Sequence, residues 1–139
     1  MAAKKIFTEI SIAMLIMMFT YAAASKLFIY DEYRFELLGH VLIKNYTGII
    51  AWALPVSELF IVLVLLFEST RKIGLYASVG ILTFFTAYII YMFTFYPSTP
   101  CSCGGVISAL SWKEHLLFNL FFIGLALTAI RFRQPTSLP

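Results

Sequence analysis

The chain has 139 residues, 61% of them hydrophobic and 12% charged, with a mean hydropathy of +0.90. A soluble domain is about half apolar and about a quarter charged, so an ordinary soluble fold is excluded; a membrane core about 30 Å thick takes about 20 helical residues to cross, which leaves room for about four crossings and no separate soluble domain. The formal charge of +3 comes from ten Lys and Arg that stand in small clusters beside apolar runs, the pattern of topology signals rather than of a nucleic-acid-binding surface.

Four apolar runs are long enough to span: Ile6 to Ala24, Gly48 to Phe67, Ile73 to Tyr96 and Trp112 to Ile130. They predict an all-α membrane protein, a bundle of four transmembrane helices over about 6–25, 48–67, 73–96 and 112–130, as one domain of residues 1–139. The first run follows Lys4 and Lys5 and ends in Ala22-Ala23-Ala24, as a cleaved signal peptide would. Its apolar stretch is longer than an ordinary signal core, and we read it as a span.

The segment 26–47 reads as an outer loop. It carries Lys26, Arg34 and Lys44 among Asp31, Glu32 and Glu36. The second run holds Pro55 and, one turn on, Glu58. An ionised carboxylate at bilayer depth costs several kcal/mol unless paired or protonated, so Glu58 is expected to face the bundle interior. Tyr21, Lys26, Tyr88 and Tyr91 are its candidate partners, and gluing helices together and relaying protons both stay open as roles. Pro55 cannot donate to the carbonyl four residues back, which frees that carbonyl and opens space for a ligand or water.

The third run is expected to end near Tyr96, because Pro97 and Pro100 lack the amide hydrogen of a continuing helix. Between the prolines and the last run lies Cys101-Ser102-Cys103-Gly104-Gly105, holding both cysteines of the chain. A disulfide between residues two apart closes a strained, easily reduced ring, and flanking glycines can present backbone N–H groups that favour a thiolate. Cys101 and Cys103 are therefore candidate redox thiols. Two free thiols, or metal ligation together with His115, are the alternatives.

Ser111 and Glu114 have capping-box spacing, so the last helix is expected to start at Trp112. His115 and Asn119 lie one turn apart and project from one face. Imidazole is the side-chain class suited to passing protons near neutral pH; His115 is either that proton carrier or an interfacial residue bonded to a headgroup or to the third helix. The 24 aromatic residues suit a quinone sandwich, interfacial belts and plain packing alike. Glu58, Pro55, Asn119 and Trp112 are the candidate lining of a quinone or polar pocket.

Taken in order, Tyr21 to Lys26, Pro55 and Glu58, CSCGG, and the run Leu110-Ser111-Trp112-Lys113-Glu114-His115-Leu116-Leu117-Phe118-Asn119 resemble the MauE/DoxX family of redox-associated membrane proteins, in particular its short Bacteroidetes versions. The resemblance covers nearly the whole chain and is most specific from CSCGG to Asn119. It implies a four-helix bundle in the bacterial inner membrane, linked to disulfide formation in exported proteins in one branch and to quinone reduction in the other. The arrangement is also similar to vitamin K epoxide reductase and DsbB-type oxidases. Those relay electrons through a second Cys pair, whereas residues 26–47 here contain no cysteine. A partner is therefore implied, a thioredoxin-like periplasmic protein or another membrane subunit.

Lys4, Lys5, Arg71, Lys72, Arg131 and Arg133 fall on one side of the four spans, and Lys26, Arg34, Lys44 and Lys113 on the other. The first group hugs the membrane boundaries without intervening acids in most places, so both termini are expected to be cytoplasmic and the Cys loop periplasmic. A membrane-impermeant maleimide added to intact, reduced cells should label Cys101 or Cys103. Labelling that requires a broken inner membrane would invert the topology.

Overall fold

The computed structural model describes residues 2–40, 42–95 and 112–133. Among these described residues, five α-helices and a 3-10 turn follow one another: α1 Ala2–Phe28, α2 Tyr30–Leu38, the turn Lys44–Tyr46, α3 Thr47–Leu66, α4 Arg71–Phe95 and α5 Trp112–Phe132. Of these, α1, α4, α5 and the turn with α3 are long and apolar enough to cross a membrane. The protein is an all-α, multi-pass membrane bundle.

Every spanning helix buries one stripe at three- and four-residue intervals, the period that keeps side chains on one helical face. On α1 it runs Thr8, Ser11, Ile12, Leu15, Phe19, Ala22, Ala23, Lys26; on α3, Thr47, Ala51, Pro55, Glu58, Ile61, Val62, Leu65. On α4 it runs Gly74, Leu75, Ser78, Leu82, Thr86, Ile89, Met92, and on α5 His115, Asn119, Phe122, Ala126, Ala129. Large apolar residues between the stripes, such as Met17, Ile49, Leu63, Ile73, Phe84, Leu117 and Phe121, are exposed. In water so much apolar surface would aggregate; in a bilayer it meets lipid tails.

The main packing contacts are α1 with α3, α3 with α4, α4 with α5 and α5 with α1, which closes a four-membered ring with α1 and α4, and α3 and α5, on its diagonals. Neighbours are antiparallel. The end that holds the termini also holds the α3–α4 turn: Arg71 binds the Glu9 carboxylate at 3.0 Å, Phe7 meets Phe132 edge-on, and Arg133 donates to the Glu68 carbonyl. The opposite, loop end carries α2. The segment expected as a plain loop over 26–47 is thus largely helical. Asp31 and Glu32 in the first turn of α2 complement its dipole, and Tyr33 and Leu37, one turn apart, bury against Ala51 of α3. That apolar pair within an otherwise charged stretch is what folds the segment onto the bundle.

The α3–α4 turn is close. Thr70 Oγ1 donates to the Val64 carbonyl at 2.8 Å and Arg71 Nε to the Leu65 carbonyl at 3.1 Å. A Cβ on Gly74 would sit 2.7 Å from Leu65 Cδ2 and 3.2 Å from its backbone nitrogen, so only glycine allows this approach. At Gly80, nothing lies within 4 Å. Gly74→Val should therefore lose about 1–3 kcal/mol by overpacking, whereas Gly80→Ala should be neutral or gain up to about 1 kcal/mol of helix propensity. Unfolding by SDS titration in mixed micelles would separate the two, and equal stabilities would refute the close approach.

Candidate functional site

The bundle interior has two zones. Toward the terminal end it is one apolar cluster: Ile12, Leu15 and Phe19 of α1, Ile61, Val62 and Leu65 of α3, Leu75 and Leu82 of α4, and Phe122, Ala126 and Ala129 of α5. Polar members of the stripes there close on their own helices. Thr8, Ser11 and Ser78 each donate to the carbonyl four residues back.

Toward the loop end the same stripes turn polar at nearly one level. Three residues before Ile61 comes Glu58; four after Leu82 comes Thr86; three before Phe122 comes Asn119, and one turn further His115; α1, after the small Ala22 and Ala23, ends its stripe on Lys26. All are buried, Lys26 and Glu58 to 2% exposure. Each spanning helix therefore places at least one polar residue in a layer capping the apolar core, although the Thr86 hydroxyl closes on its own helix by donating to the Leu82 carbonyl at 2.7 Å.

The centre of the layer is an ion pair. Lys26 Nζ donates to Glu58 Oε1 at 2.6 Å. Helical side chains lean toward their own N-terminus, so on antiparallel helices Lys26 leans into the bundle and Glu58 leans toward the loop end, and the two meet. Among the candidate partners of Glu58, Lys26 is the one the fold brings to it. Tyr21 does not approach it, because its side chain is about half exposed; Tyr88 is engaged elsewhere, and Tyr91 is exposed and meets the Phe95 ring at a tilt. Glu58 Oε2 and Asn119 Nδ2 are buried and have no hydrogen-bond partner among the described residues. An unmet buried polar atom costs about 1–3 kcal/mol, so each of the two calls for a partner that the described side chains do not supply.

A second buried pair lies nearer the loop end. His40, 1% exposed, shares a 2.6 Å hydrogen bond from Nδ1 to the Tyr88 hydroxyl, with the rings nearly parallel at 5.9 Å. It ties the segment after α2 to α4. No periodicity marks His40 in the sequence, since it follows Gly39 outside any helix, and its partner is 48 residues away.

His115 and Asn119 share one face, as their spacing predicts, and that face is the buried one. Pro55 is buried within an unbroken α3 and withholds a donor from the Ala51 carbonyl, at the patch where α2 packs. Cys101, Cys103 and Ser111 lie outside the described residues, as do the end expected near Tyr96 and the side chain of Trp112, the first residue of α5. Metal ligation through the two cysteines falls outside them too.

Breaking one side of a buried ion pair costs about 3–5 kcal/mol, more than the pair adds over an apolar substitute. Lys26 stands two residues from the end of α1 and can swing its amine toward the loop-end surface, whereas Glu58 is eight residues from the end of α3. Lys26→Met should therefore destabilise by about 3–5 kcal/mol, Glu58→Leu by less, and the double variant Lys26→Met/Glu58→Leu should recover most of the loss. SDS-titration stabilities of the three proteins give the coupling, and additive losses would show that the pair is not energetically linked.

The chain was compared with protein families, curated proteins and solved structures. No curated protein and no solved structure matches it. A family model, described as methylamine utilisation protein MauE, matches residues 4–132, from the basic pair at Lys4 through the last turn of α5. With nearly its full length matched, including all four spans and the polar layer between them, the chain belongs to the MauE family of membrane proteins.

Proposed function

We propose that this protein is an inner-membrane component of thiol–disulfide exchange that matures an exported partner, with Cys101 and Cys103 as its redox pair on the periplasmic side. A thiolate of the partner, a thioredoxin-like protein or another membrane subunit, attacks the Cys101–Cys103 disulfide; one S–S bond breaks and a mixed disulfide forms. The partner's second thiolate then displaces the bound cysteine. The partner leaves oxidised, and Cys101 and Cys103 hold two electrons and, with His115 passing them on, two protons. A membrane quinone, taking two electrons and two protons to become the quinol, regenerates the disulfide.

The observation that carries this role is the buried polar layer at the loop end. His115 and Asn119 turn inward on α5, which begins nine residues after Cys103, and they share the interior with Glu58, Pro55 and Lys26. In this reading His115 is the proton carrier and the polar side chains receive a lipid-soluble acceptor, at the end of the bundle to which the cysteines connect. The basic clusters at the other end favour a cytoplasmic location for the termini.

The family description names methylamine utilisation. It favours a second reading, in which the chain is a membrane subunit that scaffolds or matures a secreted enzyme without thiol chemistry of its own. Trapping separates the two. With one cysteine replaced, the other can attack the partner but cannot be resolved, so Cys101→Ser or Cys103→Ser should accumulate a mixed disulfide, visible as a reducible higher band on a non-reducing gel. The double variant should give none and lose the cellular phenotype. If neither single variant forms an adduct and the double variant behaves as wild type, the scaffold role replaces the redox one.

A further inference from the structure

We propose that Glu58 and Asn119 form a binding site for one hydroxyl group at the centre of the bundle. The chemistry of the two unmatched atoms selects the ligand. Glu58 Oε2, belonging to the carboxylate paired with Lys26, accepts; Asn119 Nδ2 only donates. A carbonyl would satisfy the amide and be repelled by the carboxylate, and a second cation would satisfy the carboxylate and oppose both Lys26 and the amide hydrogens. A hydroxyl satisfies both, its O–H donating to Glu58 Oε2 and its lone pair accepting from Asn119 Nδ2.

The topology supplies the reach. Glu58 on α3 and Asn119 on α5 belong to diagonal helices, each three residues beyond a member of the same apolar cluster, Ile61 and Phe122. Packed helices lie about 8–10 Å apart, so a diagonal is about 11–14 Å, and with Cα atoms about 2.3 Å off each axis the gap is about 7–9 Å. The two side chains and one intervening oxygen span that distance. Ala22 and Ala23 of α1, small and buried, precede Lys26 on the stripe that faces this interior. The bilayer position and the rings of Phe19 and Phe122 in the cluster beneath suit two sources of the hydroxyl: an internal water, or a lipid-soluble aromatic ring of hydroquinone type. Only the second source rests on the quinone-linked role, and neither depends on the thiol step.

The test uses the purified full-length protein in detergent, wild type and Asn119→Leu, with decylhydroquinone and its dimethyl ether as probes. A hydroquinone source gives a thermal stability several degrees higher with decylhydroquinone, no rise with the ether, and no rise in Asn119→Leu. A water source gives no probe effect, but an infrared O–H stretching band that shifts in H₂¹⁸O and is lost in Asn119→Leu. If the wild type shows neither signal, or if hydroquinone and ether act alike, the site does not bind hydroxyl. Asn119→Ala removes the same donor should Asn119→Leu not fold, and the ether comparison needs no variant at all. Failure here with successful trapping at the cysteines would leave the thiol role standing, and the reverse result would leave this site standing.

Discussion

The structure depends on a buried ion pair, Lys26 to Glu58, joining the loop-end half of α1 to the middle of α3. In a bilayer the helices gain little by hiding apolar side chains from one another, because lipid tails are as apolar as the side chains. Packing and polar contacts must specify which faces meet. A carboxylate in the span has few tolerable environments, and a lysine on an antiparallel neighbour, leaning toward it, is one of them. Once those atoms are 2.6 Å apart, the rotation of both helices about their axes is set. The remaining stripes on α4 and α5 then face the same interior.

That constraint divides the bundle into unlike halves. The terminal half is apolar and self-contained, closed at its end by the close approach of Gly74 to Leu65 and by the exposed Arg71–Glu9 bridge, which contributes at most about 1 kcal/mol. The loop half holds the charged pair, the inward His115 and Asn119, and the His40–Tyr88 bond, with helix α2 packed over it through Tyr33 and Leu37. An apolar floor beneath a polar layer strengthens every interaction in that layer, since low dielectric favours matched groups and penalises unmatched ones. The atoms left unmatched on Glu58 and Asn119 are therefore more telling here than they would be near water.

Much of this was readable from the order of residues. Four predominantly apolar runs of 19 or more residues can satisfy their backbone only as helices in lipid, so the architecture followed from length and composition. The spacing of His115 and Asn119 placed them on one face, and the cost of a carboxylate in hydrocarbon required Glu58 to face inward with a partner. Lys26 was among four candidates for that partner; choosing it over Tyr21 required knowing which face of α1 is buried. Helix α2 went unread because only Tyr33 and Leu37 of its apolar residues are buried, while Phe35 and Leu38 are exposed, which leaves no clear stripe in a charged stretch.

Local chemistry, then, was determined by the sequence alone: which segments span the bilayer, which polar groups cannot face lipid, and where the cysteines stand relative to the spans. Pairing was decided by the tertiary structure. His40 meets Tyr88 across 48 residues, and Glu58 meets Lys26 across 32, because four antiparallel helices closed into a ring bring distant positions to one level. Periodicity sets the face a side chain takes on its own helix, but the rotation and register of one helix against another depend on the packing of all four together.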